Sequence, residues 1–366
     1  MKVIGSVKEK QDSEKRVSIT PEIVKKLIDL KFLLYLEKNY GEHIGITDED
    51  YKNQGANMLN NAKEVYDRSD VIFKVNCPLR DEINLIKKKS ILIGQFDPFL
   101  SKEAINELIK KEIKIFSLDL LPRITRAQSM DVLSSQANLA GYRAVIESVE
   151  EFDKAIPMMM TAAGTVTPAK VLVIGAGVAG LQAIATAKRL GAIVYATDVR
   201  IVAKEQVESL GGKFLTVEGA EDLETKEGYA KEASENFKKK QNALLKETIK
   251  KSDIVICTAL IPGKKAPRIV TEEIIKSMKP GSIVYDLAVN YGGNSAFSEP
   301  NKVNLVNGIK IMSSKNILSK LAATASNLYS KNLFNFLINM YDKDKKDIYI
   351  NEKDEIISKT LIKEQL

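Results

Sequence analysis

Three glycines and one aspartate have the spacing of a nucleotide-binding turn. Gly175, Gly177 and Gly180 directly follow the apolar run 171–174, and Asp198 closes the next apolar run, about 20 residues further on. The first glycine can adopt a positive φ in a tight turn, the second lets the backbone approach a pyrophosphate, and the third lets a helix lie close to the strand. The order strand, turn, helix, strand and acid therefore predicts a dinucleotide site, at which the N-terminus of helix 178–190 would face the phosphates.

Two charged residues bear on which dinucleotide this is. The Asp198 carboxylate can accept hydrogen bonds from both ribose hydroxyls of NAD, and it would repel the 2′-phosphate of NADP. Arg200 follows two residues later and could attract that phosphate instead. The pattern therefore favours NAD but leaves NADP open. A doubly wound domain that has lost its ligand site is the alternative to nucleotide binding.

Length and charge bound the class of protein. The 366 residues favour two domains of ordinary size. The net charge of +7 comes from scattered lysines, and no basic block is interleaved with aromatic residues, which indicates a solvated surface and not a nucleic-acid face. The longest uncharged stretch is interrupted by glycines and too short for a membrane span, and the first residues resemble a strand more than an export leader.

Cysteine and histidine are scarce. Cys77 and Cys257 lie far apart in apolar surroundings, which favours core thiols in a reducing compartment over a disulfide or a metal site. His43 is the one histidine and occupies a loop-like segment. Any acid–base step would therefore depend on Lys, Asp, Glu, Tyr or this single imidazole.

Apolar strand-like segments alternate with helical patterns on both sides of the glycine turn. They lie at 1–5, 32–36, 70–75, 90–93 and 114–118 before it, and at 213–217, 253–258 and 282–287 after it. Such alternation predicts parallel sheets covered by helices. Long helical patterns over 128–150 and 317–340 would connect the two halves. The expected fold is therefore α/β, with two Rossmann-like doubly wound domains joined by two long helices and an NAD cleft between them.

The long helices also set the expected domain bounds. Residues 1–133, completed by 322–366, form an N-terminal α/β domain, and residues 134–321 form the NAD(H)-binding Rossmann domain.

Two segments fit the alternation of strands and helices less well. Residues 218–240 are long and highly charged, which suits either a solvated loop or a mobile flap over the ligand, and the tail 347–361 alternates like a hairpin.

The run from Pro122 to Arg143 carries a family resemblance. Its sequence PRITRAQSMDVLSSQANLAGYR resembles the NAD(H)-binding component of proton-translocating nicotinamide nucleotide transhydrogenase, the alpha subunit in bacteria. The resemblance continues through segments spread over nearly the whole chain: MMMTAAG at 158–164, the glycine turn, ATDVR at 196–200, GYAKE at 228–232, ALIPGK at 259–264 and DLAVNYGGN at 286–294. Small departures at residues 316–320, where the family usually has a proline and an arginine, affect only a local turn.

The resemblance implies specific site residues. Cofactor contacts would come from Gly175, Gly177, Val178, Ala179, Gly180, Asp198, Val199, Arg200, Tyr229, Ala259 and Leu260. Tyr229 would belong to a flap over residues 218–232 that orders on bound nucleotide. Arg123, Gln128, Asp131 and Ser134 would surround the nicotinamide. If Gln128 begins the long helix, Asp131 and Ser134 follow at three-residue spacing on one helix face; the alternative is ordinary helix-start polarity, with Asp131 favoured by the helix dipole and paired with Arg123.

The resemblance also implies partners. The chain would act as a Si-specific, proton-translocating NAD(P)⁺ transhydrogenase only together with membrane-embedded subunits, one of which binds NADP(H). It would carry NAD(H) itself, form a homodimer and lie on the cytoplasmic, inner face of the plasma membrane. It resembles the split form of the family, in which this soluble component is a separate polypeptide.

Alanine dehydrogenase belongs to the same superfamily and is the competing function; a non-catalytic NAD sensor is a third possibility. Arg16 and Lys74 match the positions that hold pyruvate in the alanine enzyme. That enzyme also uses a histidine after the strand at 91–94, where this chain has Gln95 and Phe96, neither of which can shuttle a proton. We therefore expect Arg16 and Lys74 to pair with local carboxylates.

Overall fold

The computed structural model describes residues 2–217, 235–261 and 263–364, and within 235–249 it describes side chains from residue 239 onward. The predicted flap at 218–232, with Tyr229, lies outside the described residues. The chain forms two compact units, Met1–Gln136 with Leu318–Leu366 and Ala137–Ile317. Among the described helices, none has both the length and the apolar character that crossing a bilayer requires.

The N-terminal segment of the chain alternates strands and helices. Its elements are β1 Val3–Ser6, α1 Pro21–Asp29, β2 Leu33–Glu37, α2 Asp48–Lys52, β3 Asn57–Leu59, α3 Ala62–Arg68, β4 Val71–Phe73, α4 Arg80–Leu85, β5 Ile91–Gly94, α5 Lys102–Lys110, β6 Lys114–Ser117 and, after a 3-10 helix at Thr125–Met130, α6 Val132–Glu150.

The middle segment begins with a small hairpin and continues with a second alternation. Its elements are β7 Met159–Thr161, β8 Gly164–Val166, β9 Lys170–Ile174, α7 Val178–Arg189, β10 Ile193–Thr197, α8 Ala203–Ser209, β11 Lys213–Phe214, α9 Glu235–Ile249, β12 Ile254–Cys257, α10 Glu272–Lys276, β13 Ile283–Asp286, β14 Val303–Val306 and β15 Ile309–Ser313.

The last segment returns to the first unit. It consists of α11 Ala322–Asn339, β16 Tyr341–Asp342, β17 Asp347–Ile348, α12 Glu355–Thr360 and β18 Leu361–Ile362. The predicted tail hairpin is wrong. The Asp354 carboxylate accepts hydrogen bonds from the N–H groups of Ile356 and Ile357 and so starts α12, which buries both isoleucines. β18 then pairs antiparallel with β6.

The two units contain sheets of the same design. The strand orders are β3-β2-β1-β4-β5-β6-β18 and β11-β10-β9-β12-β13-β15-β14, and every pairing is parallel except those of β18 and β14 at one edge. The order reverses between β1 and β4 and again between β9 and β12, and ligands of open α/β sheets bind at such reversals, beyond the carboxyl ends of the strands. The predicted pair of doubly wound α/β domains is confirmed.

Both faces of these sheets are covered, which explains why the strands are apolar without alternation. In β4, Val71 and Phe73 belong to one buried cluster and Ile72 to the cluster on the opposite face. Each such side chain contributes about 1.5–3 kcal/mol by leaving water. The sheets are therefore rigid supports that fix the loops at their carboxyl ends.

Candidate functional site

The glycine turn at the end of β9 has the geometry that its sequence predicts. Gly175 has a φ of +98°, in the left-handed region that favours glycine. A Cβ on Gly180 would lie 1.8 Å from the Gly175 carbonyl oxygen, so α7 can pack this closely only on glycine. A Cβ on Gly177 would meet no atom of the described residues within 4 Å. The second glycine thus faces open space, as an approach path for a pyrophosphate requires.

Helix α7 starts at Val178 and presents its first turn to the same space. Gly177 precedes the helix and, within the described chain, no side chain caps it. The first N–H groups of a helix have no partner inside the helix, and they carry the positive end of its dipole. An anionic group placed beside Gly177 would therefore meet N–H donors from α7.

Asp198 is held firmly at the end of β10. Its carboxylate accepts hydrogen bonds from the backbone N–H of Ala176 at 2.7 Å and from the backbone N–H of Arg200 at 2.9 Å. The Arg200 guanidinium also binds it at two positions, each 2.9 Å. Burial acts to raise the pKa of Asp198, but Arg200 and the backbone donors prevail and lower it. The aspartate is therefore ionised, and it offsets the charge of Arg200.

A pocket opens beside Asp198 on the β10–β11 side of the sheet. Val199 and Ile201 line it, and the opposite wall comes from residues 214–217 and from Gln241 and Leu244 of α9. In a doubly wound sheet the first mononucleotide-binding half holds the nucleoside attached to the phosphate turn. This cleft has a volume of only about 10 Å³ and is too narrow to hold an adenosine, but it marks the side of the sheet on which the adenosine moiety of a dinucleotide is expected.

The loop after β12 forms the other wall of the strand-order reversal. The Thr258 hydroxyl donates to the Gly175 carbonyl oxygen at 2.8 Å, which fixes this loop to the glycine turn. Ala259 follows directly, and Leu260 is exposed. The backbone of Ala259 is bonded to the side chain of Asn294, a residue whose role the sequence did not reveal because it lies 35 positions further along the chain.

The four residues expected around the nicotinamide lie near the start of α6, but not on one helix face. Gln128 belongs to the 3-10 helix Thr125–Met130, and the α-helix begins only at Val132. The Asp131 carboxylate accepts from the Ser134 N–H at 2.9 Å and from the Ser134 hydroxyl at 2.5 Å. Asp131 is thus the N-cap of α6, so the predicted helical start at Gln128 is wrong.

The side chains of Arg123 and Gln128 are exposed, and that of Ser134 is half-buried. The structure therefore brings Asp131 and Ser134 into contact, which agrees with the alternative of helix-start polarity for this pair. The pairing of Arg123 with Asp131 and the role of all four residues at a nicotinamide stay predictions.

Arg16 and Lys74 are paired with carboxylates, as expected. The Arg16 guanidinium makes two hydrogen bonds to Glu14, at 2.8 and 2.9 Å, and both side chains are buried. The Lys74 ammonium lies 2.6 Å from Glu82 and 3.2 Å from Glu9 and is 1% exposed. Burial acts to lower the pKa of Lys74, but these two carboxylates raise it above its ordinary value. Both cations are therefore neutralised within their own unit.

The single histidine is a surface residue. Its Nε2 donates to the Lys15 carbonyl oxygen at 2.7 Å, and its Nδ1 accepts from the Gln11 amide at 3.1 Å. Through both ring nitrogens, His43 thus connects its own loop to the loop that contains Gln11 and Lys15. Cys257 is buried and Cys77 half-buried, and burial raises the pKa of both thiols, that of Cys77 to about 12.

Alanine substitutions at two of the glycines should separate ligand contact from packing. Gly177 has a φ of −76° and open space around it, so Gly177→Ala should leave the melting temperature nearly unchanged yet weaken NADH about tenfold or more, by blocking the pyrophosphate. Gly180→Ala forces α7 away from Gly175 and should also cost about 1–3 kcal/mol of stability. Calorimetric titration and thermal melting of both variants check this; full NADH affinity in Gly177→Ala would contradict it.

Comparison with known proteins identifies the family. The chain matches the family described as "Alanine dehydrogenase/PNT, N-terminal domain" over residues 5–140 and "Alanine dehydrogenase/PNT, C-terminal domain" over residues 144–365. It is 51% identical to an NAD(P) transhydrogenase subunit alpha polypeptide of Rhodospirillum rubrum, covering 98% of this chain and 95% of the relative.

Two further comparisons mark its place within the family. The crystal structure of transhydrogenase from Sinorhizobium meliloti superposes with a TM-score of 0.90 at 47% identity, covering 100% of this chain and 99% of that one. The alanine dehydrogenase of Methanococcus maripaludis is 30% identical over 80% of this chain and 73% of that one. The chain therefore belongs to the alanine dehydrogenase/PNT family, among the transhydrogenase alpha subunits.

Proposed function

We propose that this chain is the NAD(H)-binding component of a proton-translocating transhydrogenase. The observation that supports this most is the strand-order reversal between β9 and β12, with its open glycine turn and its ionised Asp198. The bound NADH supplies a hydride, which passes to NADP⁺ held on a partner subunit. Direct transfer between two rings needs apposition and exclusion of water but no protein acid or base.

Each portion of the dinucleotide has residues suited to it. Gly175, Gly177 and Gly180, with Val178 and Ala179 at the start of α7, would hold the pyrophosphate. Asp198, Val199 and Arg200 would contact the adenosine ribose, while Ala259 and Leu260 would contact the half on the other side of the reversal. Tyr229 would close over the nucleotide, and Arg123, Gln128, Asp131 and Ser134 would position the nicotinamide.

The partner subunits of this proposal follow from the family. Membrane-embedded subunits would conduct the proton, and one of them would carry the NADP(H)-binding component. The chain would then act in the cytoplasm, on the inner face of the plasma membrane, and would be active only with these partners.

Reconstitution with an NADP-binding transhydrogenase component tests the proposal. The mixture should reduce NADP⁺ at the expense of NADH, whereas neither protein should do so alone. A parallel assay with alanine and NAD⁺ should show no steady turnover, because Arg16 and Lys74 are engaged by carboxylates and no histidine follows β5. Robust alanine oxidation without hydride exchange would favour the alanine dehydrogenase alternative.

We expect NADH to bind more tightly than NADPH by about tenfold or more. The reason is that Asp198 is ionised and already binds the Arg200 guanidinium, so a 2′-phosphate would meet a carboxylate whose cation is engaged. Calorimetric titration with both reduced cofactors decides the point. Tighter binding of NADPH would show that Arg200 sets the specificity.

The homodimer that the family implies has a candidate contact in the β7–β8 hairpin. The two strands form a sheet of their own, and Met158 and Met160 are 62% and 84% exposed. An isolated hairpin is marginally stable in water, so a second copy of the chain that covers these methionines would stabilise it.

Met160→Lys should therefore convert the dimer into a monomer. Light scattering at micromolar concentration should give about twice the 40.6 kDa chain mass for the unmodified protein and about 40.6 kDa for the variant. Leu305→Lys is a matched control, because Leu305 is 70% exposed on the edge strand β14. A dimer that survives Met160→Lys would exclude the hairpin as the contact.

A further inference from the structure

Asn294 lies completely buried between β13 and β14, and its side chain is fully engaged with another loop. Its amide oxygen accepts from the Ala259 N–H at 3.0 Å. Its amide nitrogen donates to the carbonyl oxygens of Ala259 at 2.8 Å and of Pro267 at 2.9 Å. The side chain thus binds Ala259 as a neighbouring strand would, through both its N–H and its C=O.

Asn294 is itself fixed to the sheet. Its own carbonyl oxygen accepts from the N–H groups of Ile269 and Val270, at 2.8 and 2.9 Å. The next residue, Ser295, donates its N–H at 2.8 Å to Asp286, the last residue of β13. The amide is therefore a fixed point from which the loop after β12 is held.

Ala259 connects the Asn294 side chain to the glycine turn. It follows Thr258, whose hydroxyl donates to the Gly175 carbonyl oxygen at 2.8 Å. The loop held by Asn294 therefore forms one wall of the strand-order reversal, on the side of β12 and β13. In a doubly wound sheet that side receives the second mononucleotide, which is the nicotinamide half when the adenosine half lies on the β10 side.

We propose that Asn294 is a positioning residue for the nicotinamide half of the dinucleotide, acting through the backbone of Ala259 and Leu260. The assignment rests on the proposed NAD(H) binding. Only an amide meets the requirement at this position, because the same group must accept one hydrogen bond and donate two. Alanine leaves the N–H and C=O groups of the half-buried Ala259 without these partners, and aspartate places a carboxylate against two carbonyl oxygens.

The test compares a whole dinucleotide with its adenosine half. In Asn294→Ala, the dissociation constant of NADH should rise about tenfold, since the three side-chain hydrogen bonds that order the wall are lost. The dissociation constant of AMP should change by less than about twofold, because AMP occupies only the side of β10 and β11. Asn294→Asp should show the same selective loss.

Asn290→Ala is the matched control. Asn290 lies four residues earlier, is exposed, and donates its amide to the Lys315 carbonyl oxygen at 2.7 Å. This variant should bind NADH and AMP as the unmodified chain does. Thermal melting of all variants records any general loss of stability.

Two outcomes would overturn the assignment: unchanged NADH affinity in Asn294→Ala, or an equal loss of NADH and AMP, which would indicate general unfolding of the unit. Failure of the proposed function is distinguishable, because it would appear as absence of NADH binding in the unmodified chain.

Discussion

Replacing Lys74 with methionine is expected to lower the free energy of unfolding by about 3–5 kcal/mol. The Lys74 ammonium is 1% exposed and contacts two carboxylates, those of Glu9 and Glu82. Methionine fills a similar volume but supplies no charge, so both carboxylates would be left without their cation. Chemical denaturation of the variant and the unmodified chain at pH 7 measures the difference.

The pH dependence of this loss has a definite sign. Burial raises the pKa of Glu9, and the nearby Lys74 charge acts against that rise. Without Lys74 the pKa of Glu9 should climb further, and the lowered pKa of Glu82 should rise as well. A carboxyl group with a raised pKa takes up a proton on folding, so its contribution to stability is lost as the pH rises above 4.5, its ordinary value. The variant should therefore lose more stability between pH 5 and pH 8 than the unmodified chain.

Lys87→Met is the control for this experiment. Its ammonium lies 2.9 Å from Asp70, but the two side chains are 48% and 35% exposed. Exposed pairs contribute about 0–1 kcal/mol, so this variant should unfold almost as the unmodified chain does. If Lys74→Met lowered the free energy of unfolding as little as Lys87→Met, apolar packing could replace the Lys74 charge beside Glu9 and Glu82. The argument from charge would then fail.

Local sequence predicted the features of the fold that depend on local physics. The apolar run before Gly175 is β9, because only a strand covered on both faces is apolar without alternation. The geometry of the glycine turn could be predicted from the glycines alone, because a positive φ and a close backbone approach depend on single residues. Repetition of this pattern along the chain was enough to predict two doubly wound sheets.

Contacts between distant segments could not be predicted in the same way. Asn294 binds Ala259 across 35 residues, and Glu9 contacts Lys74 from the loop that follows β1. The family resemblance included Ala259, Asn294 and Lys74 but did not indicate which residues they contact. The predicted start of α6 was wrong for a local reason. Asp131 can lie inside a helix or cap one, and the sequence around Gln128 does not decide between a 3-10 helix and an α-helix.

The place of Gln128 in the 3-10 helix determines the effect that we expect from its substitution. Gln128 is exposed and lies three residues before Asp131, which is fixed as the cap of α6 by its bonds to Ser134. Because the Asp131 N–H donates to the Gln128 carbonyl oxygen at 3.2 Å, the backbone of Gln128 is tied to that cap while its amide faces solvent. Asparagine keeps the amide chemistry but shortens its reach by about 1.5 Å, one carbon–carbon bond.

Gln128→Asn should therefore slow hydride transfer to the NADP-binding partner by about a hundredfold, because misplacing a reacting ring by about 1 Å has an effect of that order. NADH affinity should change by less than about threefold, since the adenosine and pyrophosphate contacts are untouched. Asp198→Ala should show the opposite division, with weaker NADH binding and a nearly normal transfer rate at saturation. Stopped-flow mixing of the reconstituted complex measures both quantities. Gln11→Asn, at an exposed amide bonded to His43, controls for the substitution itself. A wild-type transfer rate in Gln128→Asn would mean that this segment only starts a helix, and that other residues hold the nicotinamide.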